Sequence, residues 1–111
     1  MLVIRDEQWR AFEEDVPARV EDRLVRAVLD AWPEACAPLG RSGTRARVRR
    51  ALERARELGF EGFEERARFV HLDFLAGQGF ERETKWGRSI MGWDADARTK
   101  LAALERAAAE A

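Results

Sequence analysis

Residues able to do chemistry are scarce in this chain, which has one histidine (His71), one cysteine (Cys36), two serines (Ser42 and Ser89) and no tyrosine. Nucleophilic catalysis needs a nucleophile, a base and an orienting group within hydrogen-bond reach. Any triad would therefore have to join His71 to Ser42, Ser89 or Cys36. Asp73 is no orienting partner, because two residues along a helix it projects about 160° away. His71 reads as a boundary histidine, and no catalytic residue is predicted. A structural zinc site wants four Cys or His ligands, and the chain offers two in all. A lone cysteine forms no internal disulfide, so the fold needs no oxidising compartment. Cys36, between Pro33 and Pro38, reads as a small filler in a loop. These shortages point to a non-enzymatic protein with no cofactor and no metal.

Long apolar runs are missing as well. The opening MLVIRDEQ has three apolar residues after the initial methionine before charge intervenes, far short of a secretory signal, and no later run is long enough to span a membrane. The expectation is a cytoplasmic protein without a membrane partner. A formal net charge of -1 argues against a surface built throughout for nucleic acid. With 46% apolar and 37% charged residues, the 111-residue chain should fold, as a single domain over residues 1–111. Eighteen of its twenty basic residues are arginine, a bias that fits a GC-rich bacterial genome.

Helical periodicity dominates what is present. Trp9, Phe12, Val16, Val20, Leu24, Ala27 and Ala31 keep one apolar face in phase, with a kink or break expected near Asp15 to Pro17. Residues 33–43, PEACAPLGRSG, read as a loop. Ser42 or Thr44 should cap a third helix with a narrow stripe of Val48, Ala51, Leu52, Ala55 and Leu58, stopped by Gly59 with Phe60 folded back. The richest segment is Gly59 to Phe80, with five phenylalanines and the only histidine. Its helix, roughly Gly62 to Ala76, puts Phe63, Ala67, Val70 and Phe74 on one face and sends Phe69 and Leu72 elsewhere. Such a helix is either packed centrally or exposes a patch. Gly77 and Gly79 should end it, a short turn of helix should hold Trp86, Ile90 and Trp93, and Asp94 should cap a last helix with Ala97, Leu101, Leu104 and Ala108 inward. The predicted fold is all-α, a compact bundle of five or six helices in which Phe63, Val70 and Phe74 are buried with Trp9, Phe12 and Leu24.

Several motifs dissolve on inspection. Asp94-Ala-Asp96 begins like a calcium loop but lacks the glycine and terminal glutamate such loops use. Gly77-Gln-Gly79 follows a helix and lacks the strand and third glycine of a dinucleotide fingerprint. The neighbouring acids Glu13-Glu14 and Glu64-Glu65 splay about 100° apart on a helix and do not face each other across a cleft. One charge anomaly survives. Residues 41–58 carry seven arginines against two glutamates, a net of +5, between segments of -4 (residues 1–40) and -3 (residues 59–84). This helix either pairs with its acidic neighbours or presents Arg45, Arg49, Arg50 and Arg56 to phosphates or to an acidic partner.

The run from Leu39-Gly40 through the arginine-rich helix to Leu58-Gly59-Phe60, then Phe69-Val70, Leu72, Phe74, Gly77, Phe80, Trp86 and Ile90, resembles a small helical family associated with bacterial type VI secretion loci. Leu2, Ile4 and Gln8 match its opening pattern, while Arg5 and Pro17 depart from it. The resemblance covers about half to two thirds of the chain. It implies no catalytic residues. It implies an adaptor or chaperone for a secreted effector or spike component, or an immunity protein. On that expectation the partner-binding surface combines Phe69, Leu72, Phe80, Trp86 and Trp93, because aromatic anchors carry much of an interface's energy. A nucleic-acid-binding domain using residues 44–58 is the alternative.

Overall fold

The computed structural model describes residues 18–111. Trp9, Phe12, the break near Pro17 and the Leu2, Ile4 and Gln8 pattern lie outside them. Seven helices make up the described chain: α1 (Ala18–Ala31), α2 (Pro33–Cys36), α3 (Gly40–Glu57), α4 (Phe63–Ala76), α5 (Phe80–Glu83), α6 (Lys85–Met91) and α7 (Ala97–Glu110). No strand occurs among the described residues, and the fold is an all-α bundle.

Helix ends follow local chemistry. α3 stops in a Schellman turn, with Gly59 at φ 96°, its N–H donating to the Arg56 carbonyl at 3.0 Å and the Phe60 N–H donating to the Ala55 carbonyl at 3.0 Å. Phe60 thereby folds back and is fully buried. Thr84 caps α6, its hydroxyl accepting from the Gly87 N–H at 2.9 Å. Asp96, and not Asp94, caps α7, accepting from the Thr99 N–H at 2.7 Å. Asp96 holds the extended backbone an N-cap requires, at ψ 166°.

The segment 33–43 is more helical than its prolines and glycines suggest. Pro33 occupies the first turn of α2, where its missing N–H costs nothing, and α3 already opens at Gly40. Thr44 is consequently an interior residue of α3, completely buried, and caps nothing.

Two apolar cores meet at α4. The first joins Leu24, Val25 and Val28 of α1, Cys36 of α2, Val48, Ala51 and Leu52 of α3, and Val70 and Phe74 of α4. The second joins Ala55 and Phe60 to Phe69 and Leu72 of α4, Phe80, Ile90 of α6, and Leu101 and Leu104 of α7. Val70 and Phe74 point roughly 150° away from Phe69 and Leu72 around α4, so one helix serves both cores. α4 is therefore central, packed against α3 and α7. Phe63 departs from expectation: it keeps the phase of Val70 and Phe74, yet is 41% exposed. It is the first residue of α4, and the core it was expected to join thins out beyond the half-buried Ala67.

Candidate functional site

The aromatic cluster assigned to a partner is mostly interior. Phe69 is 1%, Leu72 3% and Phe80 1% exposed, and they line the second core. Ring contacts run through it in series, Phe60 to Phe69 at 5.5 Å, Phe69 to Phe80 at 5.3 Å and Phe80 to Trp86 at 5.7 Å between centroids. This corrects the expectation that Phe69, Leu72 and Phe80 form a contact surface. The wall that covers them comes from Leu101 and Leu104, whose thin stripe on α7 suffices because the opposing rings are large. Trp86 is half-buried over Phe80, and only Trp93 of the five is open to solvent, at 45%.

The arginine helix turns much of its charge onto the protein's own carboxylates. Three of these are almost wholly buried, Glu21 at 6%, Asp73 at 4% and Glu81 at 4% exposed, and α3 answers each of them. Arg49 and Arg45 both reach Glu21, the latter at 3.1 Å, and Arg45 also pairs with Asp22. Arg47 pairs with Asp73 at 2.9 Å and Arg54 with Glu81 at 2.8 Å. The Arg49 guanidinium, hydrogen-bonded to the Glu21 carboxylate, holds that group below its ordinary value. Burial pushes the Asp73 carboxyl up, against the pull of Arg47. Arg50 is exposed and Arg56 half-buried. Arg41, Ser42, Arg45, Ala46 and Arg49 line an open groove along α3. Positions 41, 45 and 49 form one row of α3 at intervals of four.

His71 is half-buried beside Trp32, ring centroids 5.1 Å apart, and burial pulls its pKa down. Asp73 lies on another side of α4, engaged by Arg47, so the two do not meet. Cys36 is 2% exposed on a helix, its thiol 3.8 Å from the Val28 carbonyl oxygen, and belongs to the first core instead of a loop. No group of three His, Cys, Asp or Glu side chains among the described residues could hold a metal ion. No described helix is long and apolar enough to cross a membrane.

Among the described residues the exposed large apolar side chains are Leu39, Phe63, Leu75 and Trp93, and two of them, Phe63 and Trp93, border grooves at the start of α7. Trp93, Arg98, Thr99, Ala102, Ala103 and Arg106 line a shallow groove of about 420 Å³. Phe63, with Gly62, Glu64, Glu65, Arg68 and Arg98, lines a neighbouring one, so Arg98 borders both. Trp93 lies just past Gly92, the C-cap of α6, its N–H donating to the Ile90 carbonyl at 3.0 Å, which anchors its backbone while the indole is 45% exposed. The sequence reading named Trp93 but missed the residues around it. Their signal was the spacing Arg98, Ala102, Arg106, one row of a helix at intervals of four.

No protein-family model matches the chain, and neither the curated proteins nor the solved structures include a match to it.

Proposed function

We propose that this chain is a non-enzymatic protein-binding module that works in the cytoplasm. Its partner is a larger protein, an effector or spike component of a type VI secretion system that the module escorts or silences. The observation that carries the binding reading is the exposed Trp93, a large aromatic side chain on an anchored turn beside a groove floored by alanine methyl groups. Exposed aromatics of this kind, backed by rigid elements, are what interfaces use as anchors. The type VI assignment rests on the resemblance carried by Leu39-Gly40, Leu58-Gly59-Phe60 and the Phe69 to Ile90 pattern. Phosphate binding through Arg45, Arg49, Arg50 and Arg56 has less support, since Arg45 and Arg49 engage Glu21 and Asp22.

The test is co-expression of the tagged chain with its genomic neighbours, nuclease treatment, and size-exclusion chromatography. A stoichiometric protein complex that dissociates with Trp93→Ala, while helical content is kept, is the expected outcome. Elution alone, or with nucleic acid that nuclease removes, overturns the reading.

A further inference from the structure

We propose that the groove between Trp93 and α7 receives an acidic amphipathic helix of a protein partner. An apolar side chain of that helix lies against the Trp93 indole and the Ala102 and Ala103 methyl groups, and two carboxylates lie on Arg98 and Arg106. The proposal rests on the protein-binding reading and gives it a site and a partner chemistry.

Charge decides the class of occupant. None of the six lining residues is acidic, and two are arginines. Arg98 and Arg106 stand two turns apart on one row of α7, roughly 12 Å along the axis, with Ala102 between them. Arg98 is 79% exposed, in loose contact with Glu65 at 3.7 Å and near enough to Asp96 to favour its charged form, but no carboxylate holds it in a close ion pair. Arg106 is exposed and makes no ion pair with any other described residue. This separates the pair from the arginines of α3, several of which already hold a carboxylate of the protein. The neighbouring Arg68 is likewise engaged by Glu105. Shape decides the form of the occupant. Two cations two turns apart, flanking an alanine, match a helix that presents carboxylates at the same interval with an apolar residue between them. The charge-assisted contacts fix its register, while the indole and methyl groups supply the apolar contact.

A phosphate backbone fits less well. Asp94 and Asp96 are both exposed in the turn that carries Trp93, and they would face a polyanion from the rim. A peptide can place its carboxylates locally and avoid them.

The experiment uses the full chain, isotopically labelled, with a synthetic amphipathic helix of about four turns carrying leucine on one face and glutamate at the two-turn interval. A second peptide has lysine for every glutamate. The glutamate peptide is expected to shift the Trp93 indole N–H and the Ala102 and Ala103 amides, and to bind at least tenfold more weakly to the Arg98→Glu, Arg106→Glu double variant. The lysine peptide should show the reverse preference. Both substitutions are at exposed positions, and the circular dichroism of the double variant checks that the fold is kept. The proposal falls if the glutamate peptide shifts residues along α3 instead, if the double variant binds it equally well, or if oligo-dT perturbs Trp93 more strongly than the peptide does. It falls too if the Trp93 indole N–H of the free chain is already shielded from a soluble paramagnetic probe, because the chain would then cover its own groove. A co-purifying protein partner indifferent to the double variant removes this site and leaves the binding reading standing. Charge-selective peptide binding here without any stoichiometric protein complex does the opposite.

Discussion

Arg47 of α3 grips Asp73 of α4 twice, Nε donating to the carboxylate Oδ2 at 2.9 Å and Nη2 to the Asp73 backbone carbonyl at 2.8 Å. The same guanidinium lies 4.1 Å from the centre of the Phe74 ring. One side chain thus satisfies a buried charge, a backbone acceptor and an aromatic face, and it does so across the contact between the two central helices.

Replacing Arg47 with methionine keeps the side chain's bulk and strands Asp73 as a buried, unpaired carboxylate. The expected loss is about 3 kcal/mol, the lower end for breaking a buried pair, read from urea denaturation. The double variant Arg47→Met, Asp73→Asn should recover part of it, because no uncompensated charge is left.

Arg49 and Arg50 are adjacent in sequence but differ in consequence. Arg49→Glu sets a second negative charge against the buried Glu21 and should lower the denaturation midpoint. Arg50→Glu, at an exposed position and acting only through its weaker field on Asp73, should lower it far less. Equal effects from the two would mean that the Arg49 pairing contributes nothing in solution.

Glu21 should make stability depend on acidity. Its folded-state value lies below the ordinary 4.5, because the Arg49 hydrogen bond favours the charged form. The unfolded chain therefore binds the proton more readily, so the contribution is present above pH 4.5 and is lost as pH falls through the folded value. Glu21→Gln should be less stable than the parent at neutral pH, and the gap should narrow below pH 4.5. Asp73 runs the other way, since burial raises its value above 3.8 and protonation in that window favours the folded state. In Asp73→Asn that compensating rise on acidification should disappear.

His71 titrates nearer neutrality. Burial beside Trp32 lowers its value below 6.5, so stability is full above pH 6.5 and declines as pH falls towards the folded value. Thermal denaturation of His71→Gln between pH 7 and pH 5 should lack that decline. A parent whose midpoint is flat over the same range would show that the imidazole is protonated as easily in the folded chain as in the unfolded one.

Leu72→Asp should unfold the protein instead of only detaching a partner. The position is 3% exposed inside the second core, and an unpaired charge there costs more than a domain of this size can spare. Loss of helical circular dichroism is the expected result. A variant with full helical content would imply that the α4 to α7 contact opens readily.

Much of the fold was written locally. Gly59 and Phe60 announced the end of α3 because the left-handed turn and the folded-back ring are interactions within a few residues of chain. The face of Val70 and Phe74, the stop at Gly77 and the stripe of Leu101 and Leu104 followed from helical spacing in the same way. The extra helix at Pro33 and the capping of α7 by Asp96 in place of Asp94 turned on backbone angles that residue preferences narrow without choosing. Periodicity also left two fates open for Phe69 and Leu72, a surface or a second core, and nothing within α4 distinguishes them. The choice depended on whether α7 returned to cover that face, which is a long-range contact. Charge was legible in the same partial way. Composition gave α3 its excess of arginine, but pairing depends on which carboxylates lie within a few ångströms. Only the packing of α1, α4 and α5 against α3 brought Glu21, Asp73 and Glu81 to it, and only the turn after α6 left Trp93 outside the core.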